Sequence, residues 1–299
     1  MSDIYGLETT QIGHNRSDGD RYLSFSSRFD TLKIKQQGTA QLTNSSRTIT
    51  IPHNLGYKPF FMVHCQGDPA YAADYGNYQD YFMAPLYSAD GHYVIAWADT
   101  TNIYIKAGPK FGIVENYYYH YDNYDACFES QNYGHFVGYG AFVGHHDATW
   151  GNLDGALRFR FIAETQQATK AEIGFKIATS RNGTVAVRTY GIDEDNTSDF
   201  GGNPFGRSRT DANVQNSCDN GITDIWAYEI TNIYNEIISR GGWSSNNSMG
   251  FLLYNDGNTG TKNIASSLDY QGSYLKVTRL LSETLANLRY TIYYNKIDA

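Results

Sequence analysis

The chain has 299 residues, a formal charge of −8 and 18% charged against 41% hydrophobic residues, a profile that excludes a disordered tail, a coiled coil and a collagen-like array. The acidic balance generates none of the basic field that nonspecific nucleic-acid binding needs, so nucleic acid is dropped as a partner. No apolar run approaches the ~18 residues of a membrane span, and residues 1–12 lack the basic start and apolar stretch of an export signal; the expectation is a soluble chain with no membrane insertion.

At roughly 100 to 200 residues per domain, the length favours two domains. Cys65, Cys127 and Cys218 lie far apart without a CxxC spacing, which suits buried free thiols better than a disulfide framework or a structural zinc site. Synthesis in a reducing compartment follows.

In chain order, short alternating or β-branched and aromatic stretches fall at 47–51, 60–64, 93–97 and 102–106. They recur at 156–162, 185–190, 249–254 and 274–279, with Gly, Asn, Asp and Ser clusters between them. Even spacing with polar turns predicts an all-β chain of two β-sandwich or jelly-roll domains. One segment, 229–240, carries a helical stripe at Ile230, Ile233, Tyr234 and Ile237. Gly241 and Gly242 are expected to end it by taking the left-handed conformation, leaving one short helix that caps the second sandwich. The boundary is placed near residue 122, in the Tyr- and Asp-rich stretch 116–125, giving domains 1–122 and 123–299. Both halves are long enough to bury a core, and residues from 123 onward are expected to fold alone.

Two regions resemble families found in bacteriophage virions. The runs YLSFSSRFDTLK (22–33) and TITIPHNLGYKPFF (48–61), with the opening IYGLETTQIG (4–13), look like the N-terminal β-domain of tailed-phage minor structural proteins. That likeness covers roughly 1–122. Segments 156–161, 168–177, 185–196, 207–210 and 229–240, the pair Gly242-Trp243 and the strand 274–278 resemble a jelly-roll module of phage tail proteins and secreted bacterial proteins, related to carbohydrate-binding modules. The family usually has Pro before Gly-Trp where this chain has Gly241, and residues 281–299 run past its last strand. The resemblance implies a virion component, assembled in the host cytoplasm among other virion proteins. The resemblance does not by itself identify a ligand; host surface polysaccharide is the candidate partner weighed for the jelly roll.

The phrase Asp193-Glu194-Asp195-Asn196-Thr197-Ser198-Asp199 departs from an EF-hand, with Ser198 at the required glycine and Pro204 at the bidentate glutamate. It reads either as a solvated acidic loop or as a structural calcium site formed by Asp193, Asp195 and Asn196. His145-His146-Asp147 is a poor metal grip because strand neighbours point to opposite faces. His53 is expected to hydrogen-bond locally, and 138–144 to form a strand rather than a dinucleotide loop.

No GxSxG, HExxH or P-loop is present, so no catalytic residue is assigned. A glycosidase pair such as Asp154 and Glu164 would need a separation of ~5 to 9.5 Å in space. Tyrosines at 71, 75, 78 and 81, and at 117, 118, 119, 121 and 124, suit subunit packing in a particle, packing within a domain, or contact with sugar rings.

The function expected is a non-catalytic virion structural protein (minor tail, tail-fibre or capsid-surface component) whose jelly roll binds host glycan. It is expected to form a homo-oligomer, with a trimer favoured, through the first domain. The alternatives are a polysaccharide-degrading tail enzyme and a secreted bacterial carbohydrate-binding protein.

Overall fold

The computed structural model describes residues 8–10, 23–26, 33–68, 81–87, 90–119, 123–138, 140–180, 183–219, 224–257, 261–264 and 272–294. Its elements are strands, with one α-helix and one short 3-10 helix (Asn123–Asp125) among the described residues. The alternating stretches all form strands, because period-two patterning buries one face and wets the other.

The chain divides into two units, residues 1–112 with 281–299, and residues 113–280. This differs from the expected boundary near 122 in two ways. The strand holding Tyr117 to Tyr119 opens the second unit, and the C-terminal tail returns to the first.

In the first unit, β1 (Glu8–Thr10) and β2 (Leu23–Ser26) pair as a short ribbon. The remaining strands are β3 (Lys33–Thr43), β4 (Thr48–Pro52), β5 (Phe60–Gln66), β6 (Tyr81–Met83), β7 (Leu86–Tyr87), β8 (Tyr93–Ala98) and β9 (Asn102–Ala107). The tail supplies β22 (Thr284–Tyr294). The sheets run β3-β22-β5-β6 and β4-β9-β8-β7, so the last described strand lies inside the first sheet, between β3 and β5. Leu42, Ile51, Val63, Ile103, Ile105, Phe111, Leu288 and Ile292 are buried here.

The motif PHNLGY is a turn fastened to the β8–β9 connection. The amides of His53 and Asn54 donate to the Thr101 carbonyl at 2.8 and 3.1 Å, and that of Gly56 to Thr100 at 2.9 Å. Asn54 and Gly56 have φ of 54° and 77°, the left-handed region that Gly and Asn tolerate best. His53 is buried, and its Nδ1 accepts from the Leu55 amide at 3.2 Å, the local bond expected of it.

The second unit contains β10 (Ile113–Tyr119), β11 (Ala126–Ser130), β12 (Gly134–Val137), β13 (Ala141–His145), β14 (Asn152–Ile162), β15 (Lys170–Ser180), β16 (Val185–Ile192), β17 (Arg209–Cys218) and β18 (Ile225–Glu229). Helix α1 (Thr231–Ile238), β19 (Asn247–Asn255), β20 (Thr261–Ile264) and β21 (Tyr274–Leu280) complete it. Strand β15 joins two sheets. Its first half pairs with β21 and β18; beyond a register break between Ile177 and Thr179 it pairs with β20, which leads on through β13, β14, β19, β16 and β17. Ile113 and Leu280 face each other in the β10–β21 ladder, so the unit enters and leaves the chain at adjacent points, as an inserted domain does. The stretch 138–144, expected as one strand, is broken: Gly138 and Gly140 both have φ of 87° and separate β12 from β13.

Its core holds Leu157, Phe159, Ile173, Phe175, Val187, Phe251, Leu253, Leu275 and the helix residues Ile233, Tyr234 and Ile237. Phe159 meets Phe251 edge-on at 5.9 Å, and Phe175 meets Trp226 and Tyr228 at 5.5 and 5.6 Å. The helix is shorter than its stripe suggests, because residue 229 closes β18 and Ile230 occupies the cap position. Neither Gly241 nor Gly242 is left-handed. Ser239 ends the helix in right-handed geometry, and a Cβ on Gly242 would collide with the Asp195 carboxylate. Glycine is needed there for close approach rather than for φ.

Candidate functional site

Aromatic rings and hydrogen-bonded turns converge at one end of the second unit. The β11–β12 hairpin turns at 131–133, and the β13–β14 connection at 146–151 lies against it. Ser130 Oγ donates to the Trp150 carbonyl at 2.7 Å and accepts from the Asn132 and Tyr133 amides at 3.3 Å. Asn132 Nδ2 donates to the carbonyls of Ala148 and Thr149 at 3.3 and 2.9 Å. Asp147 Oδ1 receives the Thr149 and Trp150 amides, both at 2.9 Å, and the Gly151 amide closes the turn on the Asp147 carbonyl at 2.8 Å. Gly151 has φ of 69°, and a Cβ there would lie 3.0 Å from Gln131 Oε1. Every backbone segment under the rings is therefore fixed by a named bond.

On this frame Trp150 is half-buried, with ring centroids 5.0 Å from Tyr133, 5.4 Å from Phe136 and 6.2 Å from His146. Phe136 stacks on Phe128 at 5.1 Å, and Phe142 meets Phe128 edge-on at 4.8 Å. Tyr133 is 57% exposed, so the cluster is anchored inside and open outside. His146 Nδ1 lies 2.8 Å from Asp147 Oδ2, while His145 Nδ1 faces Asn152 Oδ1 at 3.0 Å. The Trp150 amide, foremost, together with His146 and the Thr149 amide holds Asp147 below the ordinary carboxylate range. Sequence reasoning noted the His145-His146-Asp147 run and missed Tyr133 and Trp150.

A second feature lies on the outer face of the sheet. Asp125, fully buried, receives Arg158 Nε at 2.6 Å and Arg160 Nε at 2.8 Å on one oxygen. Cys127, Ala156, Ile192, Phe200 and Leu252 form a small apolar layer beside it. Next along the strands, Glu129 and Asp154 are direct cross-strand partners, a pair whose Cβ atoms stand ~5 Å apart. Asn203 Nδ2 donates to Glu129 at 2.8 Å, and the Asn255 amide to Asp154 at 2.7 Å. Burial, with a smaller push from Glu129, raises the Asp154 carboxyl from 3.8 to about 6 against the pull of the Asn255 amide.

Asp154 and Glu164 do not form the pair posed from the sequence. Asp154 lies near the start of β14 and Glu164 two residues beyond its end, and each has its own separate partners. Glu164 is buried and takes Asn116 Nδ2 at 2.6 Å and the Tyr118 hydroxyl. Burial first, and that carboxylate second, push the Tyr118 phenol well up.

The acidic loop does not fit a calcium ion. The Asp193 and Asp195 carboxylates are both taken by the Arg240 guanidinium, through Nη1 and through Nε at 2.8 Å. Asn196 Oδ1 accepts from the Ser248 amide at 2.8 Å. A guanidinium already pairs with both aspartates, and the oxygens expected on one ion are divided between Arg240 and the Ser248 amide.

Of the tyrosines, Tyr71, Tyr75, Tyr78 and Tyr121 lie outside the described residues. Tyr117 and Tyr119 are 46% and 43% exposed on β10, with rings stacked at 6.5 Å, while their neighbour Tyr118 points inward. The three cysteines are buried and free, as expected.

Neither the family models nor the curated proteins match the sequence. Among solved structures, this chain aligns with Arthrobacter globiformis T6 isomalto-dextranase complexed with panose at 13% identity and a TM-score of 0.25. That alignment covers 84% of this chain and 33% of the other, so the chain spans a third of that protein's length. It also aligns with the infectious bursal disease virus VP2 subviral particle at 9% identity and a TM-score of 0.26, covering 88% and 79% of the two chains. Likenesses with such TM-scores carry no functional argument.

Proposed function

We propose that this chain is a non-catalytic structural component of a tailed-phage virion, a minor tail, tail-fibre or capsid-surface protein, whose inserted jelly-roll-like unit presents a glycan-binding surface at Tyr133 and Trp150. The observation that carries the binding reading is the exposed Tyr133 ring packed on a half-buried Trp150, both on turns locked by hydrogen bonds. A preorganised aromatic surface loses little entropy when the apolar face of a sugar packs on it, and flanking polar groups fix orientation. One such contact is weak. Many copies on a particle multiply it through effective concentration.

The virion assignment rests on the sequence resemblance, now with a structural reason for the PHNLGY motif as a fastened turn. Homo-oligomer formation through the first unit is part of the proposal. The outer face of β3-β22-β5-β6 aligns Ile34, Tyr293 and Phe60 in one row, with Ile34 and Phe60 53% and 56% exposed, and such faces mark interfaces.

One observation favours the alternative of a polysaccharide-degrading enzyme: Glu129 and Asp154 face each other, and burial raises the Asp154 carboxyl to about 6, a pairing of a raised and an ordinary carboxyl that glycosidases use. The test is one experiment with two readouts. Intact chain, multimerised on streptavidin, is applied to glycan arrays beside W150A and Y133A, and reducing-sugar release is followed on every glycan bound. Binding lost in W150A, without sugar release, supports the proposal; release abolished by E129Q establishes the enzyme. Mass spectrometry of purified particles from the same genome tests the virion assignment.

A further inference from the structure

We infer, resting on the glycan-binding reading, that the Tyr133–Trp150 surface takes neutral sugar residues and rejects acidic ones such as uronates and sialates. From residue 126 to residue 157 the chain contains no Lys or Arg, while it contains Glu129, Asp147 and Asp154. The first arginine beyond this stretch, Arg158, is committed to buried Asp125. Next to the rings stands Asp147, exposed and kept ionised by the Thr149 and Trp150 amides that it receives. An acidic sugar stacked here would bring its carboxylate beside a like charge with no guanidinium or ammonium from either turn to pair it. Such unpaired, partly desolvated charge is strongly disfavoured. A neutral pyranose needs only a ring face and hydroxyl partners, which Asp147, His146, Asn132 and Tyr133 supply.

A quaternary ammonium fits less well despite the negative charge. Ammonium recognition relies on rings that enclose the cation, whereas Tyr133, Phe136 and His146 pack at a tilt directly against Trp150, with 5.0 to 6.2 Å between ring centroids.

The experiment compares neutral hexose oligosaccharides with hexuronate oligosaccharides of matched linkage, using the multimerised intact chain at low and high salt. We expect neutral oligosaccharides to bind about ten-fold or more tightly at low salt, with the gap narrowing as salt screens Asp147. D147N keeps an oxygen acceptor for both turn amides while removing the charge, and is expected to lower the ratio of neutral-sugar to uronate affinity measured on the same variant. A148K, which places an ammonium on the exposed turn, should bind uronate measurably. Equal binding of both sugars, or W150A-sensitive preference for uronate, overturns this inference and leaves the glycan reading standing. Binding of neither overturns both.

Discussion

Asp154 gives the most direct physical test of the second unit. Its carboxyl is raised from 3.8 to about 6, first by burial and then by Glu129 across the strand pair, against the Asn255 amide. That displacement corresponds to roughly 3 kcal/mol between the two protonation states. Well below pH 4 the carboxyl is protonated whether the chain is folded or unfolded, and it imposes no penalty. As pH rises from 4 to 6 the unfolded chain releases the proton while the folded one retains it, so stability falls; above 6 the whole penalty is present. Asp154→Asn cannot ionise, and its amide oxygen still accepts from Asn255. The stability of D154N relative to the parent is therefore expected to rise by about 2 to 3 kcal/mol between pH 4 and pH 7. Urea unfolding at closely spaced pH values measures this difference, and carbon NMR of the Asp154 carboxyl reads its titration directly. A difference between the two proteins that stays flat across this range, or a carboxyl titrating near 4, would refute both the burial of Asp154 and its pairing with Glu129. E129Q should move the Asp154 titration downward, since it removes the like charge.

Replacing Ile233 by Asp places an unpaired charge where Ile233 is 1% exposed beneath Gly191, and should cost about 4 kcal/mol, seen as a lower melting temperature of the second unit. A fragment 113–280 should give a cooperative thermal transition, whereas 123–299 should not, since it lacks β10 and leaves buried Glu164 without Asn116 and Tyr118. Calcium and chelator should give the parent the same melting temperature, while R240A loses about 1 kcal/mol and, with its carboxylates released, gains a calcium response. Light scattering should show an oligomer of the intact chain that F60D weakens; a monomer at micromolar concentration in both would refute the proposed interface.

The strands were legible because each carries its own alternation. Residues 249–254 declare a buried strand whatever their neighbours do, and they lie within β19. Pairing is different, because register is written in two distant segments at once. Nothing within 281–299 says that its strand enters a sheet between β3 and β5, more than 220 residues upstream. Nor does the run at 117–119 say that its ladder partner is β21. The boundary near 122 treated a strand as belonging with the residues before it, and only the long-range ladder assigns it to those after it. The helix shows the same limit at its ends: Ile233 and Ile237 follow from period 3.6, while its start is set by β18 running through Glu229.

The candidate site was hidden for a related reason. Tyrosine runs draw attention in a sequence, yet adjacent strand residues point to opposite faces, so the run at 117–119 is split between solvent and the buried Glu164. Tyr133 and Trp150 stand 17 positions apart, each alone among polar residues. What joins them is that β11 and β13 both pair with the start of β14, which forces the turns at their ends side by side. The available local signal was turn chemistry: Asp147 two and three residues before the amides it accepts, with Gly151 after them, is an Asx turn that fixes Trp150's backbone. An aromatic residue inside such a turn is held rigid yet left at the surface, the combination that core packing never requires and ligand stacking does. The same residues set the charge of the surface, because the carboxylate that rigidifies the turn stands next to the ring it positions. In the proposed reading, rigidity and selectivity against anions are one property of Asp147.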